Sequence, residues 1–186
     1  MEKENTSANY LESMKKLFRY YKELGDKTFS QLDDKHINWR QDEESNSIAI
    51  VVKHLSGNML SRWTDFLNSD GEKEWRNREN EFEGDVKNKK ELMEIWEKGW
   101  DCLFSAIDPL TPNDLGKIVY IRNEGHTVME AINRQLAHYP YHVGQIVFIG
   151  KMVLSGQWKS LSIPKGKSVD FNQQKFSEDK KRKNFI

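Results

Sequence analysis

Two histidines, His138 and His142, stand four residues apart in the segment HYPYHVGQI. On a helix that spacing projects both imidazoles from one face, one turn apart. Two rings so placed can share one metal ion. A third histidine, His54, lies in VVKHLSGNML, beside an apolar stripe rather than outside it. If two helices run antiparallel, its ring can meet the pair. Three neutral imidazoles with an open fourth position describe a catalytic type of Zn²⁺ site, which Ni²⁺, Mn²⁺ or Fe²⁺ also tolerates. Against this stands the plainer reading. With five histidines in the chain a spaced pair arises readily by chance, and a lone half-buried histidine is more often a satisfied polar group than a ligand.

The neighbouring residues narrow the chemistry. The motif is not HExxH, because Tyr139 stands where a metalloprotease carries its general-base glutamate. Peptide hydrolysis is therefore disfavoured, and a metal-bound water or thiol would have to be activated by the ion itself. Pro140 lies between the paired histidines; it removes a helical hydrogen bond and disfavours helical geometry at Tyr139. A kink is expected there, either splaying the rings or opening backbone beside them. Gln145 and Asn58 lie one turn beyond His142 and His54 and are candidates to orient ligands or substrate. Arg62, two turns from His54, is a candidate for an anionic substrate group, as are Arg76 and Arg78, though such arginines more often form surface ion pairs. Tyr141 is a proton-donor candidate, with packing beside Pro140 as the plainer role. Cys102 has no histidine near it in sequence and is a weak nucleophile candidate. His126, next to a helix cap, reads as structural, and His36 as an exposed loop residue.

Four amphipathic stretches must position these groups. The first runs from Ser7, a plausible N-cap, to Leu32, with Tyr10, Leu11, Met14, Leu17, Phe18, Tyr21 and Leu24 on one face. Gly25 weakens its middle. A polar loop over 33–46 follows. The second helix starts after Ser47 and runs to Leu67 on Ile48, Val51, Val52, Leu55, Met59, Trp63 and Phe66. The segment 68–87 is dense in charge and glycine. Its length without periodicity is unusual for a compact domain, so it is either mobile or folded over something. Asn88 and Glu91 form a capping-box pattern opening a third helix to Ile107, which Pro109 and Pro112 end. Lys117–Arg122 is a short β-like run bounded by Gly125. Thr127 and Glu130 form a second capping box, opening a fourth helix to Leu154. Helices of these lengths suit an antiparallel bundle. We expect an all-α four-helix bundle over 1–160, with the short β-like segment, and an irregular basic tail over 161–186. From Lys165 onward that tail carries seven basic and three acidic residues, which reads as a solvated terminus.

Composition sets the outer limits. The chain has 186 residues, with Lys plus Arg and Asp plus Glu both 29, so the formal net charge is zero. That balance argues against a strongly basic nucleic-acid binder, leaving only the Lys180–Lys183 cluster to suggest one. No apolar run approaches the roughly 20 residues that span a bilayer, and the first residues show no apolar leader core. With one cysteine no internal disulfide forms, and a reducing cytoplasm is the expected compartment. Aliphatic residues are sparse, so six Trp, six Tyr and nine Phe must fill much of the core.

The stretches Ser47–Asn58 (SIAxxxxHLxxN) and His138–Ile146 (HxxxHxGQI) resemble the DinB/YfiT-like superfamily of bacterial bundle proteins. The flanking words SRWTDFL, GEKEWRNR, WEKGW, EAINRQLAHYPYHVGQIVF and SLSIPKGKS are closer still to one of its subfamilies of unknown function. The resemblance covers nearly the whole chain. It implies an up-down-down-up four-helix bundle, often dimeric, with a divalent metal, Zn²⁺ or Ni²⁺ first and Mn²⁺ or Fe²⁺ next, on His54, His138 and His142. Pro140 is the departure from the pattern. Relatives include transferases and isomerases that use the thiols bacillithiol or mycothiol; others have no established reaction. The implied function is a metal-dependent transferase or hydrolase acting on a small molecule, with a low-molecular-weight thiol as a candidate. It would be a homodimer that binds neither nucleic acid nor membrane. The alternative is a non-catalytic, metal-stabilised dimeric stress or structural protein. Strong unfolding on His54→Ala would favour that alternative.

Overall fold

Short polar side chains set where the long helices begin. In the computed structural model, which describes residues 6–183, Ser47 Oγ accepts the amide of Ile50 at 3.2 Å and opens helix α3 (Ile48–Trp63). Asn88 Oδ1 accepts the Glu91 amide at 3.0 Å and opens α4 (Lys89–Ile107). Thr127 and Glu130 close a complete capping box on α5 (Val128–Leu154). Each such cap stabilises its helix by about 1 kcal/mol. Helix α1 (Thr6–Phe29) already includes Ser7, so that residue is not its cap. The helix also stops before Leu32. The 33–46 loop contains a one-turn helix α2 (Asp34–Ile37), where His36 is half-buried and its Nδ1 accepts the Asp33 amide at 3.1 Å. The expected exposed loop histidine is thus a capping residue.

The four long helices pack together: α3 lies mainly on α4, α1 mainly on α5, and α3 meets α5 between them. Helix α3 is buried on most of its surface, hence its nearly continuous apolar run. The core is aromatic as composition requires: Trp96, Trp100, Tyr139, Phe18 and Phe29 head its fully buried side chains. A buried side chain of such size contributes about 1.5–3 kcal/mol. Gly25 in α1 is explained by this packing, since a Cβ there would lie 2.8 Å from Cη2 of Trp96. The same Trp donates its Nε1–H to Asp26 Oδ1 at 2.7 Å.

One expectation is extended and another corrected. The β-like run is strand β1 (Ile118–Ile121) of an antiparallel hairpin with β2 (Glu124–Thr127), in register Ile118–Thr127 to Ile121–Glu124. The second strand was hidden because EGHT lacks apolar alternation. The tail is not irregular throughout, because an exposed helix α6 spans Ser168–Phe176. The molecule is therefore mostly helical, with six helices and one small sheet among the described residues. No described helix is long and apolar enough to cross a membrane. The leader reading partly concerns residues 1–5, and the tail reading partly residues 184–186; both stretches lie outside the described residues.

Candidate metal centre

Helices α3 and α5 bring His54, His138 and His142 together. Nε2 of His138 lies 3.3 Å from Nε2 of His54 and 3.1 Å from Nε2 of His142. Their ligand atoms all fall within 4.8 Å of one another, and His54 is buried while the other two are half-buried. Pro140 does not break α5, which stays continuous from Val128 to Leu154 and keeps both rings on one face. The bond lost at its missing N–H leaves the helix held by its flanking turns and by Tyr139, buried in the core.

The outward nitrogens are fixed by acceptors. His54 Nδ1 lies 2.9 Å from Glu81 Oε2. Burial alone would raise the Glu81 carboxyl, but hydrogen bonds from His54 and Arg76, with the charge of Arg76, carry it below its ordinary value. An ionised carboxylate only accepts, so His54 Nδ1 donates, and it is the neutral ring with this tautomer whose Nε2 offers a lone pair. His142 Nδ1 lies 2.9 Å from Gln145 Oε1, which assigns the same tautomer there. Burial, followed by the neighbouring imidazoles His142 and His54, pushes the pKa of His138 down to about 3, so its ring is neutral near pH 7. Burial lowers His142 as well, against the pull of Gln145.

This donor set fits a divalent cation. One proton on His138 Nε2 can serve only one of its two contacts, and the other sets lone pair against lone pair. A cation at the common point removes that conflict. Tetrahedral Zn²⁺ with bonds of about 2.0–2.1 Å would place its nitrogens roughly 3.3–3.4 Å apart, close to the two spacings that His138 makes.

The 68–87 segment folds over this cluster. It carries a short turn of 3₁₀ helix over Glu79–Glu81 that delivers Glu81, and Phe82 sets its ring 5.1 Å from that of His54. Arg76 clamps Glu81 through Nε at 2.8 Å and Nη2 at 3.0 Å. The segment is tied down by Asp70, whose Oδ1 and Oδ2 accept the Arg122 and Asn123 amides at 2.8 Å each. At its far end Asn38 pairs with Val86 in both directions, at 2.7 and 3.1 Å.

The other candidates divide. Gln145 reaches the His142 ring, with Oε1 2.9 Å from Nδ1. Asn58 makes no hydrogen bond to His54; its Oδ1 accepts from Tyr139, whose hydroxyl accepts Trp63 Nε1–H at 2.9 Å. Arg62 is buried on Gly71 O and Glu72. Tyr141 is exposed, its ring 5.0 Å from that of His142. Cys102 sits half-buried with Sγ 3.5 Å from Thr64 Oγ1, and His126 lies in β2 opposite Val119. Sequence reasoning missed Glu81, because nothing in RNRENEFEGD marks one glutamate among several. Arg78, Arg122 and Arg134 also reach the site, lining with Asn58, Phe82 and the three histidines a cavity of about 430 Å³.

Residues 5–167 match the family described as "Protein of unknown function (DUF1572)". The chain belongs to that family. No curated protein and no solved structure matches it. In this DUF1572 member the family match covers α1 to α5, every histidine of the cluster and the whole loop that supplies Glu81.

Proposed function

We propose that this protein is a divalent-metal-dependent enzyme, a transferase or hydrolase of small molecules, built as an up-down-down-up four-helix bundle of the DinB/YfiT-like kind. The observation that carries the reading is the convergence of three Nε2 atoms from α3 and α5 beside an open polar cavity. Structural zinc sites are closed, whereas catalytic ones keep a position for water or substrate. The cavity thus favours an enzyme over a metal-stabilised scaffold.

His54, His138 and His142 would hold the ion, with Zn²⁺ or Ni²⁺ first and Mn²⁺ or Fe²⁺ next. Such an ion supplies Lewis acidity that lowers the pKa of a water or thiol bound to it. Glu81 and Gln145 hold two rings in the ligating tautomer, and the Glu81 charge makes His54 a stronger donor. Phe82 covers the His54 ring and keeps water from that side. The substrate reading is a small molecule, with a low-molecular-weight thiol as co-substrate. In this reading the protein is a cytoplasmic homodimer, and the exposed α5 residues Phe148 and Met152 support a partner face.

Metal content tests the proposal. The purified protein should carry about one divalent ion per chain, and apo-protein titrated with Zn²⁺ should saturate at that ratio. His54→Ala and His138→Ala should each abolish stoichiometric binding while circular dichroism stays helical. Absence of stoichiometric metal would end the enzyme reading.

A further inference from the structure

The cavity beside the three histidines is walled by five arginines, Arg62, Arg76, Arg78, Arg122 and Arg134, and no carboxylate lines it. Two acids behind the wall answer some of that charge. Glu72 meets Arg62, Arg76 and Arg122, and Glu81 meets Arg76. The five guanidiniums outnumber these two carboxylates and Asp70, whose charge also acts on Arg62. Arg78 and Arg134 have no carboxylate partner among the described residues; Arg78 rests on the Phe82 ring, 5.7 Å from its centroid.

The uncharged wall adds a donor. Asn58 spends its Oδ1 on Tyr139, so its amide NH₂ remains for the cavity. The chain as a whole is neutral, so this concentration of one sign is local. A cleft lined by one sign of charge draws in ligands of the other. Guanidinium forks match the oxygens of phosphate and carboxylate groups in bidentate fashion. The volume of about 430 Å³ suits a small molecule.

From this we infer that the cavity recognises a small polyanionic substrate, whose phosphate or carboxylate group is held by Arg78 and Arg134 with Arg122 beside them, while its reacting end faces the histidines. The inference rests on the proposed site but names a subsite that the histidines do not form. Arg62 and Arg76 are positioning residues here, fixed to Glu72 and Glu81.

The test uses inorganic phosphate, titrated calorimetrically into the full chain at low salt, with and without Zn²⁺. Expected is saturable binding to the metal-free protein that weakens as salt rises. It should fall about tenfold in Arg78→Gln and in Arg134→Gln, and less in Arg134→Lys. Glycerol, uncharged, should give no heat. Circular dichroism controls for folding, and both arginines are exposed, so each variant should fold. Phosphate binding that requires Zn²⁺ and ignores both arginines would assign the anion to the ion and overturn the inference. So would the lack of any saturable binding. Arginine-dependent phosphate binding in a protein that takes up no metal would uphold the subsite while the metal reading fails.

Discussion

His54 Nδ1 meets Oε2 of Glu81 at 2.9 Å across 27 residues of sequence. Glu81 is the one buried acid among the described residues, and its other oxygen is held by Arg76. The contact fixes the proton on the far side of the ring from the cluster. A loop without periodicity in its sequence therefore positions the ring of a candidate ligand on a helix.

Replacing that carboxylate should weaken the site without dismantling it. Glu81→Gln keeps the shape but removes the charge, and Zn²⁺ affinity should fall about 10- to 100-fold. Competition against a chromophoric chelator measures this. Affinity equal to wild type would show that Glu81 does not tune His54.

Gly57 offers a way to reach the same contact from the helix. A Cβ at position 57 would press on the Glu81 side chain, with Cγ at 3.2 Å. Gly57→Ala should favour the helix by up to about 1 kcal/mol through propensity alone, yet lower Zn²⁺ affinity by displacing Glu81. In a Glu81→Ala background the same change should cost no further affinity, and a double-mutant cycle reads the coupling.

Tyr139 joins α5 to α3 beneath the cluster. Its hydroxyl accepts from Trp63 Nε1 and donates to Asn58 Oδ1. Tyr139→Phe leaves both buried partners unsatisfied and should destabilise the fold by about 1–3 kcal/mol in urea unfolding. Zn²⁺ stoichiometry should persist, because no ligand is removed.

Asp70 predicts a pH dependence. Burial pushes its carboxyl up, but the amides of Asn123, Glu72 and Arg122 outweigh that and hold it below its ordinary value. A group depressed on folding contributes stability that is complete above its unfolded pKa, about 3.9. That stability is lost as pH falls through the lower folded value. Asp70→Asn should therefore be less stable than wild type at pH 7, and the two unfolding curves should converge in acid. A difference that stays constant below pH 4 would mean that the carboxylate charge is not what ties the loop to the hairpin.

The three helix starts and the His138–His142 pair were legible because each rests on local spacing and short-range hydrogen bonds. The meeting of His54 with that pair depends on how α3 and α5 pack, which no local pattern encodes; from the residues it was one possibility among others, and the resemblance singled it out. Pro140 shows the converse. Its local preference argued against helical backbone at Tyr139, and burial of Tyr139 and the flanking helical turns overrode it. Glu81 and Arg134 escaped notice because charged residues at the site have the same chemistry as those on the surface. Strand β2 escaped because its four residues pair through backbone alone.

The hairpin turn places Arg122 and Asn123 in left-handed backbone, at φ 57° and 63°. Asparagine tolerates that conformation, whereas an arginine there carries strain of about 1–3 kcal/mol. Glycine would relieve it, but would also delete a guanidinium from the cavity wall. Thermostability and charge are thus set against each other at one position. A design effort that scores folding alone would select the glycine and blunt the cavity it was meant to preserve.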